Sequence, residues 1–286
     1  MTRLYILGAG TPTPTPERFG SAYVVDTGGD HVMFDCGPAT THKLVKAGLF
    51  PTQIDHLFFT HHHFDHDADY PCFLLCRWDQ SIGKEGLLKV RGPRLTRRIT
   101  EGIIGEDGVF AHDWKARVGW KISQQVYVNR GGTLPRLGPV VDAQDIDVGV
   151  QLQGDDWDVR TAHAVHVQPF LDSLAYRIET DGGSVVITGD TEPCDSVVQL
   201  ARDATMLVSM CWDHQDAMDE CGEGPGQCGT VGAGRMAQEA GVDKLVLVHR
   251  GPGLEGQESE ARARKDVQAV YDGEVLFADE LDVLEV

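Results

Sequence analysis

Residues 60–66 read Thr60-His61-His62-His63-Phe64-Asp65-His66 and directly follow an apolar run, residues 54–59, that predicts a buried strand. Imidazole and carboxylate side chains are ligands that suit Zn²⁺, Mn²⁺ and Fe²⁺. In an extended turn the alternate residues His61 and His63 can point to one side, whereas Asp65 and His66 begin the next helix and can point to a second site. The segment therefore predicts two neighbouring metal sites at the end of a strand.

Apolar runs predict two groups of strands on either side of a less regular middle region. The first group comprises residues 3–7, 22–26, 31–35 and 54–59, and the second comprises residues 157–162, 173–180 and 184–188. Helical segments accompany each group, which favours two α/β halves packed face to face over a doubly wound sheet. No GxGxxG or GxxxxGK[ST] motif follows any of these strands, so the nucleotide-binding motifs are absent.

The composition of the chain is acidic. Its 286 residues include 25 Lys and Arg against 44 Asp and Glu, which gives a formal net charge of −19. A protein that grips a phosphate backbone needs a basic surface or stripe. The densest basic stretch, residues 91–98, holds only four arginines. We therefore expect a small-molecule substrate and regard a nucleic-acid partner as unlikely.

The sequence also bears on location. No window approaches about 18 consecutive apolar residues, and the first residues lack an apolar core followed by a cleavage site, so no contact with a membrane is expected. The seven cysteines are scattered and form no CxxC pair. This pattern is typical of reduced thiols in a cytoplasmic protein.

The spacing His61-x-His63-x-Asp65-His66 resembles the signature of the metallo-β-lactamase superfamily. Later segments fall in the order that this family expects: Thr188-Gly189-Asp190-Thr191 resembles the segment of its metal-bridging aspartate, and Val246-Leu247-Val248-His249 resembles its final ligand. Asp35-Cys36-Gly37 resembles its early Asp-x-Gly turn. The resemblance spans residues 3 to 277 and is closest to the ribonuclease Z, arylsulfatase and phosphodiesterase branch. It implies a four-layer αβ/βα sandwich, formed as a single domain over residues 1–286.

One further ligand of this family is a histidine that lies between the first motif and Asp190. His112, His163 and His166 are the candidates. In ribonuclease Z-like members the ligand lies in the loop just before a strand that resembles residues 173–179, which favours His166 over His163. His112 lies outside any segment of the family.

The resemblance implies two divalent metal ions, with zinc expected and manganese or iron as alternatives. His61, His63 and His166 would hold one ion, Asp65, His66 and His249 would hold the other, and Asp190 would bridge them. The implied enzyme is a dinuclear metal-dependent hydrolase that uses a metal-bridged hydroxide on a small organic ester, such as a phosphodiester, a sulfate ester or a lactone. The alternatives are a ribonuclease Z-like nuclease and a non-catalytic member that binds metal or ligand.

The chain departs from the family where a proton donor is expected. Ribonuclease Z-like enzymes carry a histidine two residues before a threonine that opens the penultimate helix, and Cys228 takes that position here. His214 or Asp213 could supply the acid instead, and the expected catalytic residues are Asp65, Asp190 and His214. Residues 93–150 resemble the family least, so we expect a cap or a dimerisation insertion there, and a homodimer.

Overall fold

The protein is described by a computed structural model over residues 1–82 and 86–286. Its strands, in chain order, are β1 (Arg3–Ala9), β2 (Ser21–Asp26), β3 (His31–Phe34), β4 (Ile54–Phe58), β5 (Leu88–Gly92), β6 (Val141–Asp145), β7 (Gln151–Gln153), β8 (Trp157–His163), β9 (Leu174–Thr180), β10 (Gly183–Ile187), β11 (Met206–Met210), β12 (Lys244–Val248), β13 (Glu274–Phe277) and β14 (Val283–Glu285). Its helices are α1 (Thr40–Lys46), α2 (Phe64–Asp67), α3 (Tyr70–Gln80), α4 (Thr96–Ile104), α5 (Ala111–Gly119), α6 (Lys121–Asn129), α7 (Asp195–Leu200), α8 (Gln215–Cys221), α9 (Thr230–Ala240) and α10 (Gln257–Gln268).

The strands form two sheets. Within the described residues the first sheet has the order β14-β1-β2-β3-β4-β5-β6, and the second has the order β13-β12-β11-β10-β9-β8-β7. The first sheet is antiparallel from β14 to β3 and parallel from β3 to β6, whereas the second is antiparallel from β7 to β10 and parallel from β10 to β13. The carboxyl ends of β4, β10 and β12 lie in these parallel halves, and the loops that follow such ends are where open α/β sheets build their sites.

Three apolar clusters hold four layers together. One lies between the two sheets and includes Phe34 and Phe58 from the first sheet and Tyr176 from the second. The outer face of the first sheet packs on α1, α3 and α4, and the outer face of the second packs on α7, α9 and α10. The layers therefore run helix, sheet, sheet, helix, which confirms the predicted αβ/βα sandwich.

The middle region is more regular than its sequence suggested. Residues 93–150 contain α4, α5, α6 and the edge strand β6. That this region is a cap or a dimerisation insertion within a single domain stays a prediction. Among the described residues, none of the helices combines the length and apolar character that a membrane crossing requires.

Candidate metal centre

A buried carboxylate holds the loop after β4, residues 60–66, in place by hydrogen bonds. Asp35 follows β3 and is fully buried, and it accepts hydrogen bonds from the backbone N–H and the hydroxyl of Thr60 at 2.7 and 2.8 Å. His66 donates from Nδ1 to Asp35 Oδ2 at 2.8 Å. This contact sets the tautomer of His66 and leaves its Nε2 atom free to act as a ligand.

The first cluster of potential ligands consists of His61, His63, His166 and Asp190. His63 Nδ1 lies 3.1 Å from His61 Nε2 and 3.2 Å from His166 Nε2. Asp190 Oδ2 lies 3.8 Å from the Nε2 atoms of both His61 and His166. Four ligand atoms from three separate loops thus converge on one point.

The second cluster consists of Asp65, His66, Asp190 and His249, and all four side chains are buried. His249 Nε2 lies 3.2 Å from Asp65 Oδ2 and 3.2 Å from Asp190 Oδ2. His66 Nε2 lies 3.4 Å from Asp190 Oδ1 and 3.6 Å from Asp65 Oδ2. Asp190 therefore belongs to both clusters and contributes ligand atoms to each.

These side chains fit metal ions better than they fit one another. Ligand atoms about 2.0–2.1 Å from a tetrahedral ion lie about 3.4 Å apart, close to the separations in both clusters. The Oδ1 atoms of Asp65 and Asp190 and Nε2 of His66 are buried and have no hydrogen-bond partner among the described residues. Unpaired buried polar atoms are costly, and bound cations would satisfy all three.

The electrostatics of His61 and Asp190 favour the protonation states that bind metal. Burial and the neighbouring imidazole of His66 lower the pKa of His61 well below its ordinary value, so its ring is neutral near pH 7. Burial alone would raise the pKa of the Asp190 carboxyl, but His249 and His66 lower it well below its ordinary range. A neutral imidazole and an ionised carboxylate are the states that bind metal.

The loop that carries His166 is also held in place. His166 donates from Nδ1 to the carbonyl oxygen of Gly226 at 2.7 Å, and its backbone N–H donates to Gln168 Oε1 at 2.9 Å. Gly226 has a φ of 76°, and a Cβ atom at this position would lie 2.3 Å from the backbone oxygen of His166. Only glycine therefore allows the carbonyl of residue 226 to orient this ring.

The alternative candidates for the third histidine ligand lie elsewhere. His163 is the exposed last residue of β8, and its carbonyl accepts a hydrogen bond from Ser196. His112 is an exposed residue of α5 that contacts the carbonyl of Val109. Neither belongs to the two ligand clusters found in the described part of the chain. The geometry thus favours His166, although the metal-binding role of all seven residues stays a prediction.

His214 does not join the metal centre. It is buried, its Nδ1 donates to Asp266 Oδ2 at 3.2 Å, and its Nε2 lies 2.9 Å from the hydroxyl of Ser259. That hydroxyl also donates to the carbonyl of Gly253 at 2.6 Å. Both ring nitrogens are therefore occupied by contacts to α10. The catalytic role expected of His214 stays a prediction, and this geometry argues against it.

Cys228 does not take over the role of a proton donor either. Its side chain is fully buried in the apolar cluster between the second sheet and its helices. Burial raises the pKa of its thiol well above the ordinary value. A buried, protonated thiol serves as a small apolar group.

Sequence reasoning missed the residues that support the ligands. It placed Asp35 only in a turn and assigned no role to Thr60 or Gly226. The glycine at residue 226 could have been a signal, but its partner His166 is 60 residues away in the chain. His62 was also missed: its Nδ1 lies 3.2 Å from Asp67 Oδ2 and its Nε2 lies 2.8 Å from the hydroxyl of Thr96, which joins the loop to α4.

Comparison with known proteins agrees with this geometry. The family model of the metallo-beta-lactamase superfamily matches residues 15–71. Ribonuclease Z from Mycobacterium bovis (strain BCG / Pasteur 1173P2) is 28% identical over 296 residues, which cover 100% of this chain and 99% of the relative. Two crystal structures share the fold at 21% identity: a metallo-beta-lactamase fold protein from Bacillus subtilis (TM-score 0.73, 100% and 99% of the two chains) and the short form of human tRNase Z (TM-score 0.66, 99% of each).

These relatives show that the expectation against nucleic acid was wrong, since they are named ribonucleases. The net charge of −19 describes the whole chain, whereas attraction of a phosphate depends on the charge nearby. The fold places the arginine-rich stretch beside the centre, because Thr96 contacts His62 in the loop of residues 60–66. Arg94, Arg97 and Arg98 belong to this stretch. Motif, layered fold and full-length similarity agree: the chain is similar to members of the metallo-beta-lactamase superfamily and is a metal-dependent hydrolase.

Proposed function

We propose that the protein is a ribonuclease Z-like nuclease that hydrolyses a phosphodiester bond of RNA at a dinuclear centre. The observation that carries the proposal is the sharing of Asp190 by two adjacent four-residue clusters. Divalent cations held there would supply a nucleophile at neutral pH and would neutralise charge that develops on the phosphoryl oxygens. The full-length similarity to ribonuclease Z supports RNA over the small organic esters favoured by the sequence alone.

The protein's own residues fix the geometry that this reaction needs. Asp190 contacts imidazoles of both clusters and so sets their separation. Asp35 and the carbonyl of Gly226 each hold the far nitrogen of a ligating imidazole, which keeps the rings of His66 and His166 turned toward the centre. Such support reduces the reorganisation needed during the reaction.

We propose zinc as the metal, because imidazole and carboxylate groups at tetrahedral spacing suit it, with manganese or iron as the alternatives. A cytoplasmic location is proposed because all seven cysteines are free thiols.

A homodimer is proposed on the exposed apolar residues of α6. Ile122 and Val126 lie one helical turn apart and are both exposed, and Trp120 at the start of the helix is exposed too. Contiguous exposed apolar surface of this kind marks association sites. Light scattering of the wild-type chain and of the Ile122→Glu variant tests this: a wild-type monomer would contradict the proposal.

The test of the proposed function compares substrate classes on one preparation. The chain is stripped of metal, reloaded with zinc and analysed for its metal content, for which we expect about two ions per chain. The reloaded protein is then assayed separately with a transfer RNA that carries a 3′ extension and with DNA of the same sequence as the extension. Chromogenic phosphodiester, sulfate ester and lactone substrates are assayed in the same way. We expect metal-dependent cleavage of the RNA at a defined phosphodiester bond.

Two variants make the result specific. Asp190→Ala removes the shared carboxylate and is expected to abolish cleavage, whereas Asp155→Ala, at an exposed carboxylate in the turn between β7 and β8, should cleave like the wild type. Hydrolysis of a sulfate ester or lactone with intact RNA would overturn the nuclease proposal and restore the small-ester interpretation. Bound metal with no turnover of any substrate would favour the non-catalytic alternative.

A further inference from the structure

Two exposed phenylalanines lie next to the ligands that face solvent. His63 and His166 are the partly exposed histidines of the first cluster, whereas His61 is fully buried. Phe64 directly follows His63 and is 55% exposed, and Phe170 follows His166 by four residues and is 82% exposed. Exposing large apolar rings to water is unfavourable, so a pair of them beside a reactive centre indicates a contact surface.

The loop that presents Phe170 is well ordered by hydrogen bonds. The backbone N–H of Ala164 donates to the carbonyl of Ser173 at 3.1 Å, and Gln168 Nε2 donates to the carbonyl of Ala164 at 2.8 Å. The N–H of Phe170 itself donates to the carbonyl of Val167 at 3.1 Å. The backbone that carries the ring is therefore held in a closed turn, so contact with a ligand would require little additional ordering of this loop.

Cationic side chains lie near the loop that carries Phe170. Arg94 Nε donates to Asp172 Oδ2 at 3.0 Å, which joins the start of α4 to the loop of Phe170, and both side chains remain about half exposed. Arg97 and Arg98 follow in the first turn of α4 and are both exposed. Within the described residues neither guanidinium group forms a salt bridge, and the Asp145 carboxylate contacts Arg97 only through its backbone N–H, at 2.8 Å.

We propose that Phe64 and Phe170 stack on the bases that flank the scissile bond, and that Arg94, Arg97 and Arg98 contact the phosphates of the same strand. Aromatic rings combined with nearby cations are the features that bind single-stranded nucleic acid, since every base has an apolar face and every linkage has a charge. A second copy of this chain is the less suitable occupant, because it would cover His63 and His166. The inference rests on the proposed function and names its binding surface.

The experiment measures binding, so that it does not depend on cleavage. Zinc-loaded protein is titrated into fluorescein-labelled U12 RNA and into an abasic strand of the same length, and fluorescence anisotropy gives both dissociation constants. Gel analysis after each titration shows whether the RNA is intact. We expect Phe170→Ala and Phe64→Ala each to raise the dissociation constant for U12 about tenfold. The dissociation constant for the abasic strand should change by less than about twofold. Phe170→Tyr should restore the binding of U12.

The arginines are expected to behave differently from the aromatic residues. Arg97→Gln and Arg98→Gln should weaken the binding of both strands equally. Each should also reduce the slope of log K, the binding constant, against log salt concentration by about 1. The matched controls are Phe50→Ala, which removes an exposed aromatic ring between α1 and β4, and Arg160→Gln, which removes an exposed cation on β8. Both controls should bind like the wild type.

Each possible outcome decides the inference. Equal losses for U12 and the abasic strand in the phenylalanine variants, or no loss in either, would overturn the stacking role. A wild-type dimer that Phe170→Ala converts to a monomer in light scattering would show that this surface binds a second copy instead. Binding of U12 through these residues, together with a 3′-extended transfer RNA that stays intact, would support the surface and contradict the proposed nuclease activity.

Discussion

Asp35 Oδ2 lies 2.8 Å from Nδ1 of His66, and Asp35 itself is fully buried against the loop of residues 60–66. Its other oxygen accepts the backbone N–H of Thr60, so one carboxylate fixes both the start of the loop and the orientation of a ligand. Although burial alone would lower it, the carboxylates of Asp190 and Asp35 raise the pKa of the His66 imidazole well above its ordinary value. Metal binding at Nε2 would therefore compete with protonation of this imidazole.

We expect Asp35→Asn to weaken metal binding about 10–100-fold, because an amide cannot accept hydrogen bonds at both positions. Competition with a chromogenic chelator measures the affinity. Asp26→Asn is the matched control, since Asp26 is a buried carboxylate that pairs with Arg3 at the end of β2, away from the ligands. An Asp35→Asn protein with wild-type metal affinity would show that His66 needs no such support.

Gly226→Ala is expected to disturb the first cluster. The added Cβ atom would lie 2.3 Å from the backbone oxygen of His166, so the carbonyl that orients this imidazole has to move. Gly222→Ala is the control, because Gly222 has a similar φ of 72° but a Cβ atom added there would have nothing within 4 Å. Both changes carry the cost of a positive φ, about 1 kcal/mol, so both should lower the unfolding temperature.

The difference between these two glycine variants isolates the role of His166. Only Gly226→Ala should lower the affinity for metal, by about tenfold. The same chelator competition measures this affinity. Equal metal affinities in the two variants would mean that the carbonyl contact to His166 does not matter for binding.

His214→Ala is expected to destabilise the fold without a selective effect on catalysis. The change removes hydrogen bonds to Asp266 and Ser259 and should lower the free energy of unfolding by about 1–3 kcal/mol, which urea denaturation measures. The turnover number and its dependence on pH should stay close to those of the wild type. A loss of about 100-fold in turnover, together with loss of the basic limb of the pH profile, would instead identify His214 as the proton donor. His112→Ala, at an exposed histidine, is the control.

The predictable part of the site is the part encoded by local sequence. His61, His63, Asp65 and His66 are close in the chain, so their chemistry and their position at a strand end can be predicted. Asp190 and His249 were predicted through the resemblance of their segments to a known family. The contacts of Asp35 and Gly226 could not be predicted, because they join residues 31 and 60 positions apart. The prediction against nucleic acid, made from the net charge, failed for a related reason. The net charge does not reveal that α4 brings its arginines to the loop of residues 60–66.

Asp190→Ala provides the most direct test of the shared ligand. In the wild type, metal bound to the folded state alone stabilises it by about 2.7 kcal/mol at a free concentration one hundred times the dissociation constant. The variant lacks the carboxylate common to both clusters, so zinc should raise its unfolding temperature much less. Without metal it should remain folded, because Asp190 is not part of the three apolar clusters that hold the layers together. Its RNA cleavage should fall to the background of the metal-free wild type. Wild-type turnover or a full zinc-induced rise in the unfolding temperature would contradict a centre that depends on this residue.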